Sequence, residues 1–161
     1  MREAGGTNGV RDDAREDGES HPRGRVEETE SEIISEFARS ADLTAKYEHL
    51  VRLGRDLPAS EGIRADANRV AGCQSRVWVR TELRSGRLRI EADSDAMIVR
   101  GLIALLLRLF DDRSPEEILA AGLRAFDETG LRAHLSPARS NGLAAIVRRI
   151  REDAASAVEG A

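Results

Sequence analysis

A chain of 161 residues, 40% hydrophobic and 34% charged, is long enough for one domain with a real core and too short for two comfortable ones. Its 25 basic and 29 acidic residues leave a net charge of −4, no basic run dense enough to track a phosphate backbone, and only 3% aromatic residues for bases to stack on, which argues against nucleic-acid binding. A single cysteine excludes an internal disulfide, and the longest apolar run, Gly101 to Leu107 between Arg100 and Arg108, falls far short of a membrane span. The N-terminus lacks the apolar stretch of a secretory signal, so a reducing cytoplasm is the expected compartment.

Residues 1–27 are rich in Gly, Asp, Glu and Arg and hold almost nothing apolar, so they are expected to form a disordered acidic and polar tail, with order beginning near Thr29. Residues 28–157 then make the one domain. Ile33, Ile34 and Phe37 after Ser31 predict a short amphipathic helix. Asp42 is an N-cap for a helix from Leu43 to Leu57, which Pro58 closes. Beyond Gly62 the period changes. Val77, Val79, Thr81 and Leu83 alternate with Arg76, Trp78, Arg80 and Glu82, which predicts a strand. Ser85-Gly86 then supplies a hairpin turn into a second strand carrying Leu88, Ile90 and Ala92. A third strand from Arg69-Val70 would complete a small antiparallel sheet, with one face open to water and Trp78 on the parity opposite the valines.

Asp93-Ser94-Asp95 has the acids that favour a helix start, and Ala96 to Phe110 is apolar nearly all round, the mark of a central core helix. Ser114-Pro115-Glu116-Glu117 opens another helix to about Ala121, and a short turn follows around Phe126. Ser136-Pro137 begins the last helix, with Leu143, Ile146, Val147 and Ile150 at helical spacing and Arg148, Arg149 and Arg151 in the later turns, favourable charges for a C-terminal end. The fold class is therefore α+β, a small antiparallel sheet packed by helices.

Cys73 is the candidate for chemistry. A lone cysteine is often a small buried hydrophobe. Against that, Gly72 before it and Gln74 and Ser75 after it place the thiol in a loop at a strand start, and Arg69 and Arg76 flank it with charges that favour thiolate. A cysteine hydrolase needs a histidine base in reach, and outside the tail and first helices only His134 remains. One Cys and three scattered His give no metal-ligand spacing. Thiol exchange needs one cysteine when a partner supplies the other sulfur. The residues alone leave a structural cysteine and an exchanging one both open.

Val70-Ala-Gly-Cys-Gln-Ser-Arg-Val-Trp78 closely resembles the V-x-G-C-x-S-x-V-W core of the SufE/CsdE family of sulfur-acceptor proteins. The likeness continues in order through Lys46-Tyr47, Leu53 to Pro58, Asp93 to Ala96, Ile98-Val99, Gly101 to Ala104, His134-Leu135, Ser136 to Ser140 and Gly142-Leu143, or roughly residues 30 to 152. The resemblance implies a SufE/IscU-like fold and a sulfur carrier rather than an independent enzyme. On it, Cys73 accepts a persulfide sulfur from a cysteine desulfurase of the SufS/CsdA type, stimulates that enzyme and relays the sulfur to an iron–sulfur scaffold complex. It implies no cofactor of this chain's own: pyridoxal phosphate would belong to the partner, and Lys46 is the only lysine here. Similar proteins tuck the cysteine inward until the partner is met.

Gly72 is then the expected hinge, Gln74 and Ser75 orient the loop, and Trp78 helps to shape the cavity for the thiol. Arg76, Asp93 and Asp95 face a partner or serve as caps. Arg139 stands in the first turn after Ser136-Pro137, where a cation does not help the dipole, so a compensating contact is expected; the resemblance implies that it helps to engage the desulfurase. His134 is a minor candidate for handling protons. Two departures stand out: Ala92 where the family commonly has Gly, and Arg76 where it often has Gln. A non-catalytic adaptor with a structural cysteine, a cluster-holding scaffold, and a monomer or a homodimer remain open.

Overall fold

The computed structural model describes residues 26–160; the expected tail therefore lies outside the described residues except for its last two positions. Those two begin the first helix, α1 (Val26–Ala38), which starts earlier than the sequence pattern predicts because Val26 is buried. Asp42 caps α2 (Leu43–Asp56), its carboxylate accepting from Ala45 N at 2.9 Å. The two strands β1 (Val77–Arg84) and β2 (Arg87–Ser94) pair antiparallel. Ser85 and Gly86 both take positive φ, the turn that matches the twist of a tight hairpin. The third strand shrinks to a bridge between Arg69 and Trp78.

After the hairpin come α3 (Met97–Phe110), α4 (Pro115–Ala120), the single turn α5 (Arg124–Glu128) and the long α6 (Pro137–Glu159). Six helices and one two-stranded sheet make an α+β fold among the described residues. The inward parity of the hairpin, Val77, Val79, Leu88, Ile90 and Ala92, is buried with Leu102, Leu106, Ile146 and Ile150 in one core. On the other face Trp78 is also buried, because the Arg64 guanidinium lies 4.9 Å above its ring. That face is therefore covered at Trp78 and open only farther along, where Glu82 and Arg89 pair.

Two expectations about helix ends need correction. Asp93 and Ser94 belong to β2, paired with Trp78 and Val77, and α3 starts after Ala96 with no side-chain cap. The acids serve arginines and a loop amide instead. Arg148, Arg149 and Arg151 lie within α6, which runs on to Glu159 because Ala154 is still buried against the core. No described helix is long and apolar enough to cross a membrane.

Candidate functional site

The cysteine loop, residues 71–76, has both feet pinned. At its entry Val70 N donates to Val77 O at 2.9 Å. At its exit Arg76 is gripped by the end of β2: its amide donates to Asp95 Oδ1 at 3.0 Å, and its carbonyl accepts from Ser94 Oγ at 2.7 Å and from Asp95 N at 3.2 Å. Between the feet Gly72 takes φ +88°, a conformation that side chains rarely adopt, and this turn directs the next residue inward. Ala71, Gly72, Gln74 and Arg76 are exposed, whereas Cys73 and Ser75 are partly covered. A rigid frame thus carries a short loop whose thiol faces the protein.

The thiol rests on the first turns of α6. Cys73 Sγ lies 3.8 Å from Gly142 O, at the limit of a weak S–H donor, and a Cβ on Gly142 would stand 3.9 Å from the same sulfur. A cavity of about 150 Å³ opens beside it, lined by Cys73, Gln74, Ser75, Val77, Arg139 and Gly142 among others. Ser136 accepts from Arg139 N at 3.3 Å and so starts α6 at the cavity wall. Arg139 also lines this cavity, and its Nη1 is buried with no hydrogen-bond partner among the described residues.

Burial pushes the Cys73 thiol above the ordinary thiol value, and the charge of Arg69 only partly offsets this. Of the flanking arginines expected to favour thiolate, Arg69 does so, but in the inward position removal of the sulfur from water outweighs it, and Arg76 is exposed. Iodoacetamide should alkylate Cys73 more slowly at neutral pH than a small free thiol, with the rate still climbing above the pH at which an ordinary thiol is ionised. A rate profile with its midpoint at or below the ordinary value would contradict control by burial.

Of the residues singled out in the sequence, Cys73, Gln74, Ser75 and Arg139 meet at this cavity, and Gly72 directly precedes Cys73 in the loop. The others do not line it. Asp95 holds the loop exit through Arg76 N. Asp93 is buried between Arg64 and Arg100 and is not available to face a partner. Trp78 packs under Arg64 on the far face of the hairpin, so Val77 rather than Trp78 shapes the cavity. His134 is exposed, and its carbonyl accepts from the Tyr47 hydroxyl. Sequence reasoning missed Gly142 and Val99 as cavity residues; a glycine among the apolar positions of α6 was the available signal. Among the described residues no group of three or more His, Cys, Asp or Glu side chains is placed to hold a metal.

Comparison with known proteins gives two findings. The family model described as "SufE: Fe-S metabolism associated domain" matches residues 31–154. The fold is similar to the solution structure of a hypothetical protein from Thermus thermophilus, with a TM-score of 0.67 and 22% identity, covering 81% of this chain and 96% of that one.

Proposed function

The chain belongs to the SufE family, whose domain is associated with Fe–S metabolism, and on that premise we propose that Cys73 accepts sulfur from the persulfide of a pyridoxal-phosphate cysteine desulfurase and relays it towards an iron–sulfur scaffold. The observation that carries this reading is the placement of the only thiol on a pinned loop, turned into a cavity also lined by Arg139, whose Nη1 has no partner among the described residues. The pyridoxal phosphate belongs to the partner. A reducing compartment, the cytoplasm, suits a thiol that must stay free between encounters.

The exchange balances as a thiol–disulfide reaction. The Cys73 thiolate attacks the outer sulfur of the donor persulfide, the S–S bond of the donor breaks, and the donor cysteine leaves as thiolate. No electrons are gained or lost overall. In the inward position the thiol is neutral and a poor nucleophile, because the thiolate is the reactive form. Rotation at Gly72 towards a partner relieves the burial, leaves Arg69 nearby and so favours the thiolate at the moment it is needed. An idle Cys73 is thereby shielded from oxidants.

The test is intact mass after incubation with a cysteine desulfurase and cysteine. The native chain should gain one sulfur atom on Cys73 and raise desulfurase turnover; Cys73→Ser should do neither. An adaptor with a structural cysteine also fits a half-buried thiol. If Cys73 gains no sulfur and Cys73→Ser stimulates the desulfurase fully, the adaptor stands and the carrier fails.

A further inference from the structure

We propose that Arg139 is the counter-ion of the sulfur-loaded state: when Cys73 carries its extra sulfur, the terminal sulfur anion occupies the cavity against the Arg139 guanidinium at the N-terminal turn of α6. This rests on Cys73 being a sulfur acceptor.

Three features of Arg139 have no explanation in the sulfur-free protein. It is the third residue of α6, where the macrodipole is positive and a cation is unfavourable. Its Nη1 is buried without a partner among the described residues, whereas Arg100, also largely covered, bonds Asp93 and the carbonyls of Gly54 and Leu57. Among the described residues no carboxylate lines the cavity that Arg139 helps to form. A buried donor left unmatched is costly, and here the costs coincide on one group beside the only thiol.

The thiol itself does not supply the missing anion. Cys73 Sγ faces Gly142 O, an acceptor, which suits S–H and repels S⁻. Adding a sulfur places the ionisable atom one S–S bond, about 2 Å, beyond Sγ, so the charge no longer sits on the atom that faces that carbonyl. A hydropersulfide is also a stronger acid than its parent thiol, so the loaded sulfur is anionic where the unloaded one is neutral. The cavity, at about 150 Å³, has room for one more atom of that size. Charge therefore selects the loop position. Neutral thiol lies in, attacking thiolate lies out, and persulfide returns in, held by Arg139 and the amide dipoles of the α6 N-terminus.

The purified full-length protein can be loaded with inorganic polysulfide, which bypasses any role of Arg139 in meeting a desulfurase. The Cys73 thiolate attacks a polysulfide sulfur, forming Cys73–S–S⁻ and expelling a polysulfide shortened by one sulfur. The persulfide is then timed against dithiothreitol by alkylation and intact mass. Loss of a charge-assisted bond predicts that Arg139→Gln sheds the sulfur about tenfold faster than the native chain, that Arg139→Lys falls between them, and that alkylation of the unloaded thiol changes by less than about twofold. Equal persulfide lifetimes in the native and Arg139→Gln proteins would overturn the role of Arg139 alone. So would an equal acceleration of unloaded-thiol alkylation, which would mark a loosened loop. Failure of native Cys73 to retain any sulfur would instead remove the acceptor reading on which the proposal stands.

Discussion

Gly101→Ala is expected to cost the fold about 3 kcal/mol and to lower its thermal midpoint by roughly 10 °C. A Cβ built on Gly101 would lie 2.2 Å from the carbonyl oxygen of Leu50 and 2.7 Å from its Cγ. The side chain could rotate away, but the oxygen belongs to the backbone of α2, so relief requires the two helices to separate. Gly54 faces the same crossing from the other side, where a Cβ would meet Met97 O at 2.6 Å and Gly101 N at 2.9 Å. Separation of α2 from α3 would loosen the packing of Leu50, Leu102 and Ile103, all nearly fully buried. Gly122→Ala is the control, since nothing lies within 4 Å of its added carbon, and it should shift stability by no more than about 0.5 kcal/mol. Equal midpoints for the two alanine variants, by thermal or urea unfolding, would mean that the helices do not touch as closely as described.

This crossing marks the boundary of what the sequence made legible. The local signals were strong: Asp42, Ser114 and Ser136 each cap the helix they precede, accepting from Ala45, Glu117 and Arg139 amides. Those bonds span three residues, so the sequence holds both partners in view. Ser85-Gly86 turned the hairpin for the same reason. Asp93-Ser94-Asp95 misled because its residues have the chemistry of a helix start, whereas pairing of Ser94 with Val77 keeps them in β2. Their partners are Arg64, Arg76 and Arg100, two of them far away in the chain. Arg148, Arg149 and Arg151 misled likewise, because the burial of Ala154 that prolongs α6 is a tertiary effect. At the site, the family resemblance marked Cys73 and Arg139, but their shared cavity depends on α6 closing over a loop 69 residues earlier.

Asp93→Ala is expected to destabilise the protein by about 3 kcal/mol while leaving the chemistry of an ordered Cys73 loop intact. Its carboxylate is almost fully covered and accepts from Arg64 Nε at 2.9 Å, from Arg100 Nη1 and from Ser94 N at 2.8 Å. Arg100 in turn donates to Gly54 O and Leu57 O, both at 2.9 Å, so the pair fastens the end of β2 to the end of α2. Removing the carboxylate strands a mostly buried guanidinium, which is where broken ion pairs are expensive. The loss is held near the lower end because Arg64 is half exposed and Arg100 keeps its two carbonyls. Asp95→Ala should show the opposite profile. Asp95 is exposed and its side chain bonds, among the described residues, only Arg76 N of the loop, so its loss should barely move the thermal midpoint. It should instead free the loop exit and speed alkylation of Cys73 roughly fivefold, the weight of one hydrogen bond. Measuring both readouts on both variants separates the two roles of these neighbouring acids. If Asp95→Ala leaves thiol reactivity unchanged, the loop is held inward by its contact with α6 rather than by its feet, and Gly142 becomes the position that governs release.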